Sequence, residues 1–389
     1  MKRKLALFTF IDAFGWELFK SYGEEFLPKH LETTSPLGTI FGYSSTCDPT
    51  IISGRLPHEH GHFSFYAYDP ARSPFRYLWP LRFLPKSLTS RGRVRHHMSR
   101  LVKKLLGYTG YFQLYAMPFE LLPYFDYTEK RDLYEPGGLN SGHPTVFDAL
   151  RERDIPFYLS DWRASEEKNL ATLRRDLGEG RIRFAYLYMA AMDAILHRDG
   201  THAPSAQEKI RWYGREMRRV LELAHRHYDE VTLFVFADHG MTNIHSLCPL
   251  MDRIEKTGLR FGRDYAAVYD STMARFWFLR PGAREAITDA LSEEPNGRVL
   301  EDDTLREWGA LFPNRRYGEL FFLLDPGVLL CPSHLGVKPM KGMHGYDPHD
   351  KDSVAFFGSN LPMDSPPKWL PDLYPLMLAE AGVSSSSAP

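Results

Sequence analysis

Three aspartates and three histidines in this sequence have the types and positions expected of a metal site. Each lies at or just beyond the end of an apolar run, or in a glycine turn. Carboxylate oxygens mixed with imidazole nitrogens suit zinc or a similar divalent metal. Six ligands are too many for one tetrahedral zinc, and two ions with a shared site favour phosphoryl displacement. The six residues are Asp12, Asp193, His197, Asp238, His239 and His344.

Each of these residues also has an ordinary explanation when it is taken alone. An aspartate after a strand is commonly a turn residue or a helix cap. Asp193 and His197, four residues apart, could form a pair on the surface of a helix. His344 next to a glycine fits any loop. The prediction of a two-metal site therefore depends on all six appearing together beside strands or glycine turns.

A cluster of hydroxyl groups lies between the first and second of these groups. Ser44, Ser45 and Thr46 precede a stretch, 51–54, that reads as a helix ending at Gly54. A hydroxyl at the N-terminus of that helix faces the positive end of its dipole. Contact with a metal ion would ionise it and make it able to attack phosphorus. The residues alone leave all three hydroxyls open as the nucleophile.

The elements that must position these groups are predicted from hydrophobic periodicity. Continuous apolar runs at 5–11, 184–189, 231–237 and 354–358 are typical of buried parallel strands. Apolar residues recur at helical spacing over 145–153 and 206–227. Strands alternating with helices predict an α/β fold, a three-layer α/β/α sandwich with a mostly parallel central sheet. Ligands bind such sheets at the carboxyl ends of the strands.

Composition limits the class of protein. The chain has 389 residues, of which 43% are hydrophobic and 25% charged, so a soluble globular protein is expected. A net charge of −1 argues against specific nucleic-acid binding. Three cysteines are too few for a disulfide framework. The sequence contains no apolar run of about 18 residues, so no membrane-spanning helix is expected. We expect a cytoplasmic protein, with contact at a membrane surface as a second expectation.

Two segments interrupt the alternating pattern, and we interpret both as cap insertions in one catalytic domain that spans 1–389. The segment 70–140 is rich in aromatic residues, and the segment 252–335 has strand-like runs of its own at 274–279 and 320–324. Between 70 and 119 there are ten lysines and arginines and no acidic residue, which is typical either of a solvated face or of a surface for anionic partners. The part 94–105 predicts a helix with Met98, Leu101, Val102 and Leu105 on one face. This segment, 70–119, is our candidate for peripheral membrane contact.

Four sequence blocks together resemble the alkaline phosphatase superfamily, in its type I phosphodiesterase/nucleotide pyrophosphatase branch. They are FIDAFG (10–15), SGRLPHEHGH (53–62), AAMDAILHRDG (190–200) with FADHGM (236–241), and MHGYD (343–347). The resemblance implies that Asp193, His197 and His344 hold one zinc ion, and that Asp12, Asp238 and His239 hold the other. Manganese or iron are alternatives for such ligands.

The resemblance also implies which hydroxyl reacts. In this superfamily the nucleophile lies ten residues before the glycine that closes its helix, which gives Ser44, also bound to metal, with Ser45 and Thr46 as alternatives. The implied reaction is two in-line displacements on a phosphodiester through a phosphoseryl intermediate. A phosphomonoesterase on the same site, and a lipid-linked or lipid-head-group substrate, remain alternatives.

Two departures from the family pattern bear on specificity. Phe65 occupies the position at which nucleotide pyrophosphatases have an asparagine that holds a phosphate oxygen, so Ser64 or a cap residue would have to replace it. Ile51 stands where the sulfatase signature needs arginine, which argues against sulfatase activity. A catalytically inactive scaffold is disfavoured because all six expected ligands are present.

Overall fold

The computed structural model describes residues 3–27, 29–83 and 91–383, so Lys86 and the rest of 84–90 in the predicted basic segment lie outside the described residues. The strands are β1 (Lys4–Ile11), β2 (Thr33–Leu37), β3 (Tyr66–Tyr68), β4 (Phe125–Tyr127), β5 (Phe157–Leu159), β6 (Phe184–Met189), β7 (Glu230–Phe236), β8 (Thr242–Asn243), β9 (Ser246–Cys248), β10 (Tyr265–Tyr269), β11 (Met273–Phe278), β12 (Gly297–Leu300), β13 (Leu320–Leu324), β14 (Val328–Leu330), β15 (Gly342–Met343) and β16 (Ala355–Ser359). The α-helices are α1 (Trp16–Phe26), α2 (Ser44–Ser53), α3 (Pro57–His60), α4 (Gly92–Leu106), α5 (Val146–Glu152), α6 (Glu166–Glu179), α7 (Ala191–Asp199), α8 (Pro204–His227), α9 (Leu250–Glu255), α10 (Ala283–Ser292), α11 (Asp302–Glu307) and α12 (Leu373–Glu380).

A six-stranded sheet in the order β2-β16-β7-β1-β6-β5 forms the centre of the fold. β7, β1, β6 and β5 pair in parallel, as their continuous apolar sequences predicted. The prediction of a parallel strand at 354–358 was wrong in direction, because β16 runs antiparallel to both β7 and β2. A continuous apolar run indicates a strand that is buried on both faces, and β16 is such a strand. The run does not indicate the direction of the strand.

Helices cover the sheet in two groups. α1, α6 and α7 each pack against α8, and α2, α5 and α12 form a second packed group. The predicted helices over 145–153 and 206–227 are confirmed as α5 and α8. Thr145 caps α5, because its hydroxyl accepts from the Asp148 N–H while the Asp148 carboxylate accepts from the Thr145 N–H. The predicted α/β sandwich with a mostly parallel sheet is confirmed.

Aromatic side chains stack across the three central strands close to the edge of the sheet where the aspartates lie. The ring of Phe10 in β1 is stacked 4.8 Å from Tyr188 in β6 and 5.4 Å from Phe236 in β7. Phe10 pairs directly with both residues in the strand register. Asp12 lies two residues beyond Phe10, so this stack places Tyr188 beside it.

A second, antiparallel sheet, in the order β10-β11-β13-β12, falls within the segment 252–335. One of its faces packs into an apolar cluster that contains Phe276 and Phe321, and the other packs Trp277 and Val268 against the aromatic residues of 66–127. The strand-like runs predicted at 274–279 and 320–324 are confirmed as β11 and β13. The division of the chain into one catalytic domain with insertions at 70–140 and 252–335 stays a prediction.

The basic helix is confirmed as α4, and the four apolar residues predicted on one of its faces differ in burial. Val102 is buried, and Met98 packs partly buried against the aromatic cluster, whereas Leu101 and Leu105 are exposed. Within the described ranges, none of the helices is long and apolar enough to cross a membrane. The expected cytoplasmic location stays a prediction.

Replacing Phe10 tests the central stack. We expect Phe10→Ala to lower the free energy of unfolding by about 3–5 kcal/mol, because it removes a fully buried ring between two stacked partners. Urea denaturation followed by far-UV circular dichroism measures the change. Leu247→Ala, at an exposed position, should change stability by less than about 0.5 kcal/mol. Equal losses in the two variants would contradict a special role for the stack.

Candidate metal centre

The carboxyl ends of three neighbouring strands bring the predicted ligands together. Asp12 directly follows β1, Asp238 lies two residues after β7, and α7 begins two residues after β6. β1 lies between β6 and β7 in the sheet, so these three ends form one edge. The arrangement follows from parallel pairing, which places the carboxyl ends of all three strands on the same side.

Asp193, His197 and His344 form the first group of ligand atoms. Asp193 Oδ1 lies 3.1 Å from His197 Nε2 and 3.5 Å from His344 Nε2. Asp193 and His197 are four positions apart on α7, which places both side chains on one helix face. His197 Nδ1 lies 2.8 Å from the carbonyl oxygen of Gly342. That carbonyl holds the ring proton on Nδ1 and leaves a lone pair on Nε2.

The second group surrounds His239. Its Nε2 atom lies 3.0 Å from Asp238 Oδ2, 3.8 Å from Asp12 Oδ1 and 3.1 Å from Ser44 Oγ. His239 Nδ1 lies 2.8 Å from the Gly240 carbonyl oxygen, which again directs the Nε2 lone pair into the site. Asp238 Oδ1 accepts from the backbone N–H groups of Ala13 and His239, so Oδ2 remains the free oxygen.

The two groups are contiguous. The rings of His239 and His344 stack with centroids 3.7 Å apart, and ligand atoms of Asp12, Asp193 and His239 lie within 4.8 Å of one another. Asp193 therefore reaches both groups. The structure brings together all six sequence-predicted ligands and Ser44.

The electrostatics of the centre are set by three clustered carboxylates whose nearest positive partners are the histidines. Burial and the neighbouring carboxylates, Asp238 first and then Asp193, raise the pKa of Asp12 well above its usual range. Burial opposes a charge on His239, but Asp238 outweighs it and raises the pKa of His239 to about 9. Both shifts show that the site gains stability from added positive charge.

The chemistry of the donor atoms fits divalent metal ions. Asp12 Oδ1, Asp193 Oδ1 and Asp238 Oδ2 are buried and make no hydrogen bond to any residue in the described part of the chain. The lone pairs of His197 and His239 face two of these oxygens at 3.0–3.1 Å. Facing lone pairs at that distance need a proton or a metal ion between them.

Tyr188 supports this centre, and the sequence reading missed it. Its hydroxyl donates to Asp12 Oδ2 at 2.7 Å, which leaves Oδ1 as the oxygen directed at the site. The signal was available, because Tyr188 belongs to a predicted strand, but a tyrosine inside an apolar run is more often a core residue.

The three candidate nucleophiles occupy different environments at the start of α2. Ser44 is its first residue, and its Oγ faces His239. The hydroxyl of Thr46 donates to the Phe63 carbonyl and is fully buried. Ser45 Oγ is buried and has no partner among the described residues. The helix continues through Pro49 and ends at Gly54, whose φ of 68° is left-handed.

The Thr272 hydroxyl, in the turn between β10 and β11 of the second sheet, connects the turn before α2 to the turn that contains His344. Thr272 Oγ1 lies 2.8 Å from the Tyr43 hydroxyl and donates to the Gly345 carbonyl at 2.8 Å. The Thr272 N–H also donates to the Tyr43 hydroxyl. Tyr43 precedes Ser44, and Gly345 follows His344. The sequence reading missed Thr272 because it lies in a turn without a recognisable motif.

A cavity of about 1310 Å³ opens over the centre. Asp12, Ser44 and Asp193 contribute to its lining near the metal centre, and aromatic side chains from the segment 65–162 line it elsewhere. Phe65 is one of these, stacked 5.3 Å from Tyr115, so the family's asparagine position is part of an apolar wall. Ser64 does not line the cavity, because its hydroxyl is held between Arg275 and Asp270.

The fold and the site define an alkaline phosphatase-like hydrolase that acts on phosphoric ester bonds and depends on divalent metal ions. The sequence profile of the type I phosphodiesterase/nucleotide pyrophosphatase family matches residues 10–347. The chain belongs to this family. The resemblance identified from the four sequence blocks is thereby confirmed.

Solved structures share the fold. Murine ectonucleotide pyrophosphatase/phosphodiesterase 5 superposes with a TM-score of 0.68 at 16% identity, covering 98% of this chain and 96% of that one. The human counterpart gives 0.67 at 14% identity, with 98% and 95% covered. An inactive threonine-to-alanine variant of the murine protein, in complex with AMP, gives 0.68 at 15% identity, with 98% and 96% covered. No curated protein matches the sequence significantly.

Removing the Thr272 hydroxyl tests whether the second sheet positions the catalytic turns. We expect Thr272→Val to lower kcat for a chromogenic phosphodiester about tenfold, because the Tyr43 hydroxyl and the Gly345 carbonyl lose a buried partner. KM should change less than kcat. Thr272→Ser keeps the hydroxyl and should retain most of the activity. Equal losses in both variants would contradict the positioning role.

Proposed function

We propose that this protein is a phosphodiesterase that works through a covalent phosphoseryl intermediate at a two-zinc site, with Ser44 as the nucleophile. The observation that carries the proposal is the position of Ser44 Oγ. It lies 3.1 Å from His239 Nε2, at the N-terminus of α2 and beside the free carboxylate oxygens. A hydroxyl held there faces both the helix dipole and the positive charge that the site needs.

The residues divide between the two ions as follows. Asp193, His197 and His344 would hold one ion, and Asp12, Asp238, His239 and Ser44 would hold the other. Asp193 Oδ1 lies close enough to both groups to interact with either ion. Bound ions would ionise the Ser44 hydroxyl and neutralise charge that develops on the phosphoryl oxygens. Three carboxylates with three imidazoles favour zinc, with manganese and iron as alternatives.

The reaction consists of two displacements at phosphorus. Ser44 Oγ attacks the phosphorus atom, a P–O bond to the first alcohol breaks, and that alcohol leaves with a proton. A water molecule then attacks the same phosphorus from the opposite side, and the bond to Ser44 Oγ breaks. Tyr188 and the Gly240 and Gly342 carbonyls hold the surrounding side chains in one orientation throughout.

The substrate is a small phosphodiester, and nucleotides are candidates because a structural neighbour has been solved with AMP. Phe65 in place of the family's asparagine removes one polar contact to phosphate and adds an apolar one. An apolar wall suits the second ester group of a diester, and this favours diesterase over monoesterase activity.

Chromogenic substrates test the reaction class. We expect zinc-loaded protein to hydrolyse bis-p-nitrophenyl phosphate with a higher kcat/KM than p-nitrophenyl phosphate. Ser44→Ala should lower turnover by about 10³-fold or more, since it removes the attacking oxygen. Ser45→Ala is the matched control and should retain activity. Preference for the monoester would indicate a phosphomonoesterase, and activity in Ser44→Ala would exclude Ser44.

Metal binding can be measured without turnover. Zinc should raise the free energy of unfolding by about 2.7 kcal/mol per site when its free concentration is about 100 Kd. Asp193→Asn should remove most of this stabilisation, because Asp193 reaches both ligand groups. Asp199→Asn, on the same helix but outside the cavity, is the control. Calorimetric unfolding with zinc and with chelator gives the comparison, and no zinc effect in the unmodified protein would contradict the site.

A lipid-linked substrate is the second candidate, and the exposed apolar residues near the cavity favour it. Leu101 and Leu105 of α4 are 59% and 75% exposed, and the same helix lines the cavity through Arg95 and His96. The loop 337–341 also lines it, with Val337 and Met340 58% and 42% exposed beside two lysines. Leucines flanked by cations suit the surface of an anionic bilayer.

Vesicle sedimentation tests this surface. The protein should pellet with vesicles containing phosphatidylglycerol more than with pure phosphatidylcholine. Leu101→Ser combined with Leu105→Ser should weaken binding about tenfold, because two apolar side chains no longer insert. Leu247→Ser, at an apolar position 50% exposed outside the cavity, is the control. Hydrolysis of a water-soluble diester should be unchanged in both, and equal sedimentation with the two vesicle types would exclude the lipid surface.

A further inference from the structure

A buried carboxylate in the cavity wall has no part in the chemistry proposed above. Glu129 lines the cavity and is 5% exposed. Across the described ranges, its carboxylate has neither a hydrogen bond nor an ion pair. Burial, reinforced by Asp48 and Asp132, raises the pKa of Glu129 well above its usual range, and Lys103 only partly offsets this. Such a carboxyl group takes up a proton unless a cation binds beside it, and a bound cation would restore its charge.

Two of the neighbouring charged groups, Asp132 and Lys103, already have partners. Asp132 Oδ2 accepts from Trp162 Nε1 at 3.0 Å and pairs with Arg163 at 2.8 Å. Lys103 donates its Nζ protons to the carbonyls of Thr109 and Gly110. Glu129 therefore keeps its full capacity to accept hydrogen bonds toward the cavity.

Aromatic rings surround Glu129 on adjacent pieces of backbone. The Thr128 N–H donates to the Phe65 carbonyl at 2.9 Å, and the Thr109 N–H donates to the Lys130 carbonyl at 3.0 Å. These bonds place Glu129 between Phe65 and the segment that begins with Tyr111. The ring of Phe65 lies 5.4 Å from Tyr111 and 5.3 Å from Tyr115.

Gly110 allows this close approach. A Cβ atom on Gly110 would lie 2.6 Å from the carbonyl oxygen of Glu129 and 2.4 Å from that of Arg131. Only a glycine lets the two backbone segments pack at this distance. The rings and the carboxylate are consequently held in one arrangement by the backbone.

The pocket is continuous with the reaction centre. Ser44, Asp48 and Glu129 all line the same cavity. Asp48 lies one helical turn after Ser44 on α2, and it is among the charges that act on Glu129. A substituent on a phosphorus atom at Ser44 can therefore extend toward Glu129.

We propose that Glu129, with Phe65, Tyr111 and Tyr115, forms a subsite for an ammonium group on the ester substituent that stays on phosphorus during the first displacement. The subsite rests on the proposed function only in placing that phosphorus at Ser44. An ammonium group pairs with the carboxylate through charge-assisted hydrogen bonds, and aromatic faces attract its charge. The enzyme accordingly prefers phosphodiesters of amino alcohols to those of neutral alcohols.

A matched pair of esters tests this preference. p-Nitrophenyl 2-aminoethyl phosphate and p-nitrophenyl propyl phosphate differ in an ammonium group against a methyl group and share the leaving group. We expect the ammonium ester to have a kcat/KM about 30-fold higher, and Glu129→Gln to remove most of that difference. The propyl ester is the reference substrate in each protein, so the ratio of the two kcat/KM values measures the preference. Glu120→Gln, at an exposed position outside the cavity, should leave the preference intact.

Direct binding separates this subsite from the proposed reaction. Titration calorimetry of Ser44→Ala with 2-aminoethyl phosphate and with propyl phosphate should show the same preference, lost when Glu129→Gln is added. Such binding without turnover of either ester would contradict the reaction and leave the subsite supported. Tyr111→Leu gives a second variant, which should also weaken the preference.

Three results would overturn the subsite. The first is equal affinity for the two phosphates, and the second is a preference that survives Glu129→Gln. The third is an equal gain for 2-hydroxyethyl phosphate, which would mean that Glu129 recognises a neutral hydroxyl or a nucleobase edge instead of a cation.

Discussion

Carboxylate oxygens and imidazole lone pairs directed at one another determine the rest of this structure. They converge at the carboxyl edge of the sheet, where the ends of β6, β1 and β7 lie side by side. Backbone carbonyls and N–H groups hold the other side of His197, His239 and Asp238, and the Tyr188 hydroxyl holds that of Asp12, so the free atoms of these four residues face the site. The clustered carboxylates repel one another, and bound divalent ions would offset that repulsion. Stability and reactivity are therefore linked through the same atoms.

Aromatic packing within the sheet fixes the strand ends that carry these groups. Stacked aromatic rings connect three strands immediately behind the ligands, and the last of these rings, Tyr188, donates directly to Asp12. A core residue and a ligand-orienting residue are here the same side chain. The position of Asp12 thus depends on the packing of the hydrophobic core.

Sequence reasoning recovered the parts whose physics is local. Apolar runs predicted the central strands, and the residues that follow them were predicted to lie together, because a parallel sheet converts order along the chain into proximity at one edge. The direction of β16 could not be read, since burial alone does not encode direction. Tyr188, Thr272 and Glu129 were also missed, because their roles arise from contacts between segments far apart in the chain. The burial of part of the apolar face of α4 was missed for a related reason, because Val102 and Met98 pack against the aromatic cluster.

The bridge made by Thr272 has a consequence for recombining members of this family. The second sheet touches the turns beside Ser44 and His344 through one hydroxyl that bonds to both. A chimaera that exchanged the segment 252–335 alone would bring in a foreign residue at that junction. Hydrogen bonds couple the three turns around 43, 272 and 345, so a graft of a cap between family members should carry all three.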